Sequence, residues 1–326
     1  MMTKGSFVRK NTKQERKRDR LEVGDLMDLL LSKRRAVRNR KAATLFRDWA
    51  LQNNYAKSAC PRLLTTAVVA FVLACWHEGE SKELVSDLLQ SFKHLMPQNV
   101  PNLALPWRLY RKWCQKELPT QAPAAHRLEA MALAGRAYKQ KRPGLGVMIL
   151  ASFDGFLRTG EFVNALPEQF LEAPTAMVME LGETKGVQRR GGSETYVCRD
   201  RRLVNLIKRQ VKQAQAGKPM IGMSPTQFRT WFKKACQDLG LERRGLLPYS
   251  LRRGGITAAI TQGTPASTVV LRARWHNARV AEVYVREGQA ALASLKWSPS
   301  TKKLLDEMAS HIPRYSRREI AALLNK

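Results

Sequence analysis

The sequence predicts a mainly α (α+β) protein: a helical domain, then a second, mostly helical domain that carries a small antiparallel sheet. Three observations predict it. Apolar residues recur at helical spacing from about residue 22 to residue 120. Pro119 and Pro123, set among alanines, interrupt the chain at 118–125. Two stretches of strand-like composition, 176–184 and 194–199, flank a polar, glycine-rich turn at 186–192. At 326 residues the chain is too long for one ordinary core and suits two.

Residues 1–21 are dense in charge, from Lys4, Arg9 and Lys10 to the run Arg16-Lys17-Arg18-Asp19-Arg20. So little apolar surface cannot order a segment, and a flexible basic arm is expected. It touches phosphates, carries a nuclear address or is merely solvated. Across 22–120, Leu26, Leu29 and Leu30 repeat at helical spacing, and Leu45, Trp49 and Leu51 are expected behind a basic face of Arg38, Arg40, Lys41 and Arg47. A buried helix is expected over 63–76 and another helix over 84–95. Pro97, Pro101 and Pro106 then break the chain before Trp107-Arg108-Leu109-Tyr110-Arg111-Lys112-Trp113. There the aromatics pack inward with a solvated basic edge, or the helix lies along DNA with Arg108, Arg111 and Lys112 toward phosphates.

The second domain is expected over 121–298, with helices at 130–139, 145–156, 203–214, 225–239, 251–261, 265–271 and 278–286. A C-terminal amphipathic tail follows over 299–326, built on Leu304, Leu305, Ile320, Leu323 and Leu324.

Composition narrows the function classes. Lys and Arg number 57 against 27 Asp and Glu, a formal charge of +30 that calls for a polyanionic partner, nucleic acid being the commonest. With 44% hydrophobic residues the chain can still build real cores. Cys60, Cys75, Cys114, Cys198 and Cys236 stand far apart with no CxxC pair, which indicates neither a zinc module nor a disulfide framework. The longest apolar run, 63–75, is too short for a bilayer, and Met1-Met2-Thr3-Lys4 opens no signal peptide. A soluble, intracellular protein is expected, with no membrane and no small-molecule substrate.

Chemistry-bearing residues are scattered from 155 to 284. Gly155-Phe156-Leu157-Arg158-Thr159-Gly160-Glu161 sets an arginine and a glutamate three apart, on one helical face, where the carboxylate can fix the guanidinium. Lys185 stands at the mouth of the expected hairpin turn, ahead of Arg189 and Arg190. Pro248-Tyr249-Ser250-Leu251-Arg252-Arg253-Gly254-Gly255-Ile256-Thr257 begins a helix after a proline. Arg274-Trp275-His276-Asn277 follows, and Tyr284 stands nine residues beyond Trp275. Each has an ordinary reading too: a surface ion pair, a solvated hairpin tip, a surface histidine, a packed core tyrosine.

In order and spacing these boxes resemble the tyrosine recombinase (phage integrase) family. Its pattern is an Arg in R-x-x-E, a hairpin Lys, an H-x-x-R box, a His or Trp, and a Tyr nine residues later. Here those positions fall on Arg158 with Glu161, Lys185, Tyr249 and Arg252, Trp275 and Tyr284. The resemblance covers most of 127–290, and the helical region before it is similar to the family's core-binding domain. The phrases GFLRTGE, ETKGVQRRGG and YSLRRGGIT resemble the eukaryotic DIRS-like branch of mobile elements.

The resemblance implies a site-specific recombinase or integrase that cleaves and rejoins DNA through a 3′-phosphotyrosine on Tyr284. Arg158 and Arg252 would hold the non-bridging oxygens, Lys185 would protonate the departing 5′ oxygen, and Trp275 would pack against or donate to the phosphate. Glu161 would support Arg158. Further DNA contacts are expected from Arg189, Arg190 and Arg253. The resemblance also implies a two-domain clamp on double-stranded DNA, a homo-tetramer assembled there, no cofactor, and a nuclear location in a eukaryote. In the family, a segment after the nucleophile often docks on a neighbouring protomer; for 299–326, docking on its own unit is the other reading.

One position departs from the pattern. Tyr249 stands where the family usually carries His or Lys; it can donate a hydrogen bond but is a poor general base, with an ordinary pKa of about 10. The alternative is therefore a recombinase-derived DNA-binding protein that no longer cuts. His276, one place off the family position, does not replace it. Either way, duplex binding should release many counterions. A plot of log K against log salt is expected to be steeper than about −3, at roughly −0.9 per neutralised phosphate; a shallower slope in filter-binding titrations rules out the two-domain clamp.

Overall fold

Capping chemistry marks where the helices begin. Ser32 lies extended and its hydroxyl accepts from the Arg35 N–H, opening the first long helix, α1 (Lys33–Gln52). The structure is a computed structural model that describes residues 14, 31–55, 61–95, 102–117, 121–182, 193–275 and 295–313. The described residues fall into two compact units, one within Phe7–Thr120 and the other within Gln121–Lys326.

In the first unit α1 is followed by α2 (Pro61–His77), α3 (Lys82–Leu95) and α4 (Ala104–Lys116). Their shared core centres on Phe46, whose ring meets Phe71 at 5.4 Å and Phe92 at 5.7 Å, both edge to face. The inward row of α1 is Asn39, Ala42, Phe46 and Ala50. This corrects the expected row: Leu45 is 43% exposed and Leu51 57%. Leu45 lies about 100° around the helix from Phe46, so once the phenylalanine points inward the leucine cannot. Nor is α2 buried all round. Ala67, Val68, Phe71, Val72 and Cys75 face the core while Leu63, Leu73 and Trp76 are exposed, because the run holds more apolar residues than one face can seat.

The second unit is assembled around α6 (Pro143–Asp154), buried from Gly144 to Phe153 on every side. Against it pack α5 (Arg127–Lys139), α8 (Arg201–Gln213) and α10 (Tyr249–Thr261), with α7 (Thr159–Val163) and α9 (Pro225–Asp238) alongside. Two glycines set how close α10 comes. A Cβ on Gly255 would sit 1.9 Å from the Phe153 carbonyl oxygen, and one on Gly254 2.0 Å from that of Ala125. Beyond α10 come the short α11 (Ala266–Arg272) and then α12 (Pro299–Ala309). Leu305, Met308 and Ala309 of α12 are buried in the unit's core against α5. Over 299–313, therefore, the tail docks on its own unit; Ile320, Leu323 and Leu324 lie outside the described residues, as do Leu26, Leu29, Leu30 and the helix expected at 278–286.

The sheet has three antiparallel strands in the order β1 (Phe170–Ala173), β2 (Ala176–Glu180), β3 (Thr195–Cys198). Met177 pairs with Cys198 and Met179 with Tyr196, and all four side chains are buried in the core. The sequence reading missed β1, which is only four residues long and has no room to display an alternation. Strand β2 ends at Glu180, and 183–192 lie outside the described residues. No described helix is long and apolar enough to cross a membrane.

A partly buried cap carries a titratable group that disfavours protonation in the folded state. His126 caps α5: its Nδ1 accepts from Leu128 N–H at 3.1 Å, and Glu129 Oε2 accepts from His126 N–H at 2.7 Å. Burial, with smaller contributions from Arg244 and Arg127, pushes the imidazole below its ordinary 6.5, although Glu129 opposes this. The folded state thus binds this proton less readily than the unfolded one. The contribution of His126 is complete above about pH 6.5 and is lost as pH falls through the lower folded value. Urea midpoints measured between pH 7.5 and 5.5 should fall on the acid side, and His126→Asn, which keeps a cap without titrating, should flatten that fall.

Candidate active site

Two helix ends build the site, and each closes on a left-handed residue that is not glycine. Helix α6 stops at Gly155, and Phe156 takes φ +51° while Leu157 N–H donates back to the Ser152 carbonyl. Helix α11 stops at Ala273, and Arg274 takes φ +56°; Arg274 N–H donates to Leu271 O and Trp275 N–H to Val270 O, both at 3.0 Å. This is the Schellman closure, usually completed by glycine. A side chain there costs about 1–2 kcal/mol, so other contacts must hold it.

Those contacts join the two ends. The Phe156 carbonyl accepts from Arg252 Nη1 and, at 3.2 Å, from Arg274 Nη2. Arg252, on α10, also donates from Nη2 to Ala273 O at 2.6 Å and is only 1% exposed. Two residues past Phe156, Arg158 caps α7. Its backbone N–H reaches Glu161 Oε2 at 2.7 Å and its Nη1 reaches Oε1 at 2.6 Å. The expected pair of Arg158 and Glu161 therefore forms, but as a capping box and not across a helical face. Glu161 Oε2 also accepts from Arg274 Nη2 at 2.7 Å, and Glu194 lies 3.9 Å from Arg158 and 3.6 Å from Arg274. Burial, helped by the neighbouring charges of Arg252 and Arg158, lowers Arg274 to about 10, with the two carboxylates opposing; it remains cationic at neutral pH.

Trp275 rests on an apolar cluster of Phe156, Ile256, Ala259, Val269 and Ala273, and its ring centroid is 5.9 Å from the Arg252 guanidinium carbon. Tyr249 is the first residue of α10 and is 38% exposed. Lys185, Arg189, Arg190, His276 and Tyr284 lie outside the described residues. Arg253 is one of the expected DNA contacts. It is 5% exposed and donates from Nη1 to Gln121, so burial on the inner side of α10 ties it to the start of the unit.

In the first unit, Arg40, Lys41, Arg108, Arg111 and Lys112 are exposed, while Arg38 pairs with Asp87 and Arg47 with Asp48. On α4 Trp113 is buried and Trp107 partly so, leaving the three basic residues on the outside.

Sequence reasoning missed Arg274 and Glu194. Arg274 stood inside a quoted box, next to Trp275, with nothing to mark it as a helix closure. Glu194, a lone acid after a basic turn, gave a fainter signal still. Tyr196, which carried no role, is buried, and its hydroxyl donates to Asp154 Oδ2 at 2.8 Å. Burial first, and then the Asp154 charge, hold its phenol well above the ordinary value, so it is a poor candidate nucleophile.

No family model matches the chain, and no curated protein does. The fold is nevertheless the mostly helical, small-sheet fold of tyrosine recombinases and integrases. It is similar to a lambda integrase fragment solved as a dimer bound to a COC′ core site, at 10% identity over 87% of this chain and 96% of that one, with a TM-score of 0.54. The Tn1549 transposon integrase in complex with transposon right-end DNA matches at 10% identity, 86% and 96% coverage and 0.53. The XerH site-specific recombinase bound to its difH substrate before cleavage matches at 12% identity, 72% and 70% coverage and 0.50.

Glu161 is the shared acceptor of the two arginines that flank it. Glu161→Gln removes the buried negative charge from between them, and about 2 kcal/mol of stability or more should be lost. The urea midpoint measured at fixed pH and salt should drop accordingly; an unchanged midpoint would show that the network contributes nothing.

Proposed function

We propose that the chain is a DNA strand transferase, a site-specific recombinase or integrase that cuts and rejoins double-stranded DNA through a 3′-phosphotyrosine. The observation that supports this most is that Arg252 bonds the Phe156 carbonyl two residues before Arg158, with Arg274 bonded both to that carbonyl and to the Glu161 that pairs Arg158, in a fold shared with recombinases solved on their DNA. A phosphodiester cleaved without a metal needs a nucleophile that conserves the bond energy, and it needs cations where charge develops. In the proposed step the Tyr284 oxygen bonds to phosphorus and its phenolic proton leaves to water. The P–O5′ bond breaks, and Lys185 gives its proton to the departing oxygen. Rejoining reverses the step when a 5′ hydroxyl attacks the phosphotyrosine.

Arg158 and Arg252 would hold the non-bridging oxygens. Because Arg252 donates to the carbonyls of Phe156 and Ala273, a phosphate oxygen would take the place of one of them. Trp275 would pack against the phosphate and Tyr249 would donate one hydrogen bond. Arg38, Arg40, Lys41, Arg108, Arg111 and Lys112 would meet duplex phosphates in the first unit, and Arg189 and Arg190 in the second. Assembly as a tetramer on DNA, a DIRS-like mobile-element origin and a nuclear site of action belong to the same proposal.

A second reading, a recombinase-derived DNA-binding protein that does not cut, is favoured by Tyr249 in the usual His position and by the burial of Arg252. One experiment separates the two. On nicked duplexes taken from the flanks of its own locus, the protein should form a covalent adduct that peptide mapping places on Tyr284. Tyr284→Phe should abolish the adduct with affinity nearly unchanged, and Arg158→Ala should lower its rate by about two to three orders of magnitude while weakening binding far less. An adduct on Tyr249 or Tyr315 overturns the assignment of boxes, and tight binding without any adduct selects the second reading.

A further inference from the structure

Taking the strand-transfer reading as its basis, we propose that Arg274 is the positioning residue for both Arg158 and Arg252: it grips the Glu161 carboxylate that holds the first and the Phe156 carbonyl that holds the second. The backbone itself points to a task. At φ +56°, closing α11, a glycine would be unstrained, yet the chain carries its bulkiest cation there and buries it. Only the reach of the side chain explains the choice. Nη2 meets Glu161 Oε2 at 2.7 Å and Phe156 O at 3.2 Å; Nη1 meets Arg272 O at 3.2 Å and Gly155 O at 3.5 Å; Nε faces Glu194 at 3.6 Å. A planar fork can satisfy this set and a lysine's point charge cannot.

Charge gives a second reason. Arg158 stands beside Glu161 and Glu194, and Arg252 joins them through the Phe156 carbonyl it shares with Arg274; without Arg274, two carboxylates would cancel two guanidiniums. With Arg274 the bonded group carries three cations against two anions, so an arriving phosphate meets a net positive site. Arg274 needs no contact with the phosphate to do this.

Arg274→Gly tests the idea sharply, since it relieves the backbone while removing the fork, and Arg274→Lys restores charge alone. In the full chain, the guanidinium 15N–1H resonances of Arg158 and Arg252 should lose exchange protection in Arg274→Gly while core amides stay protected. On the nicked duplex, adduct formation should slow about 100-fold in Arg274→Gly, with DNA affinity changed less than about threefold, and recover in part in Arg274→Lys. A duplex with an uncharged methylphosphonate at the scissile position should shrink the Arg274→Gly defect, an effect that a merely structural staple would not produce. Resonances that stay protected in Arg274→Gly overturn the proposal, and so does a wild-type adduct rate in that variant. If the wild-type chain forms no adduct while the resonances still respond, the positioning role stands and the cleavage reading falls.

Discussion

Everything at the site hangs on one carbonyl. Phe156 turns left-handed at the end of α6, and that turn aims its oxygen back at two arginines from different elements, Arg252 of α10 and Arg274 beyond α11. The turn also starts the extended stretch in which Arg158 caps α7. An ordinary helix end would have pointed this oxygen along the axis of α6. Arg252 and Arg274 would then have lost their common acceptor, and Arg252 one of the carbonyls that meet it in its buried place.

The fold was largely legible because its elements announce themselves locally. Ser224 followed by Pro225 and Gln227 opens α9 with a capping box, and the continuous apolar run of α6 could only be an interior helix. The pairing of Arg158 with Glu161 was also legible, but its geometry was not: periodicity cannot tell a helical face from a cap when the helix has five residues. Arg274 stayed hidden for a related reason. Its role depends on a left-handed backbone and on partners 113 to 119 residues away, and neither leaves a periodic trace. Leu45 and Leu51 misled because hydrophobicity was weighed without the phase that Phe46 sets.

Two electrostatic regimes divide the work on a polyanion. The formal +30 and the exposed lysines and arginines of the first unit act over a Debye length and are screened by salt, so in the proposed function they would gather DNA without discriminating among its phosphates. The buried arginine group acts over bond lengths in a medium of lower dielectric, where an unpaired cation is costly. Protein carbonyls and the Glu161 carboxylate partner the Nη groups of Arg252 and Arg274. In the proposed reaction a phosphate competes with them for the same donors, so selection there is by geometry and little affected by salt.

The glycine pair on α10 carries this further. With the Phe153 carbonyl 1.9 Å from where a Gly255 Cβ would lie and the Ala125 carbonyl 2.0 Å from where a Gly254 Cβ would lie, α10 packs directly on the backbone of α6 and of the stretch before α5. Arg252 leaves the same turn of α10, and Phe153 is three residues from the carbonyl it grips. The backbone contact therefore works like a dowel between two machined parts, setting the angular phase of the arginine before any side chain is chosen. Neutral drift in the surrounding core can alter volumes and rotamers without moving that reference.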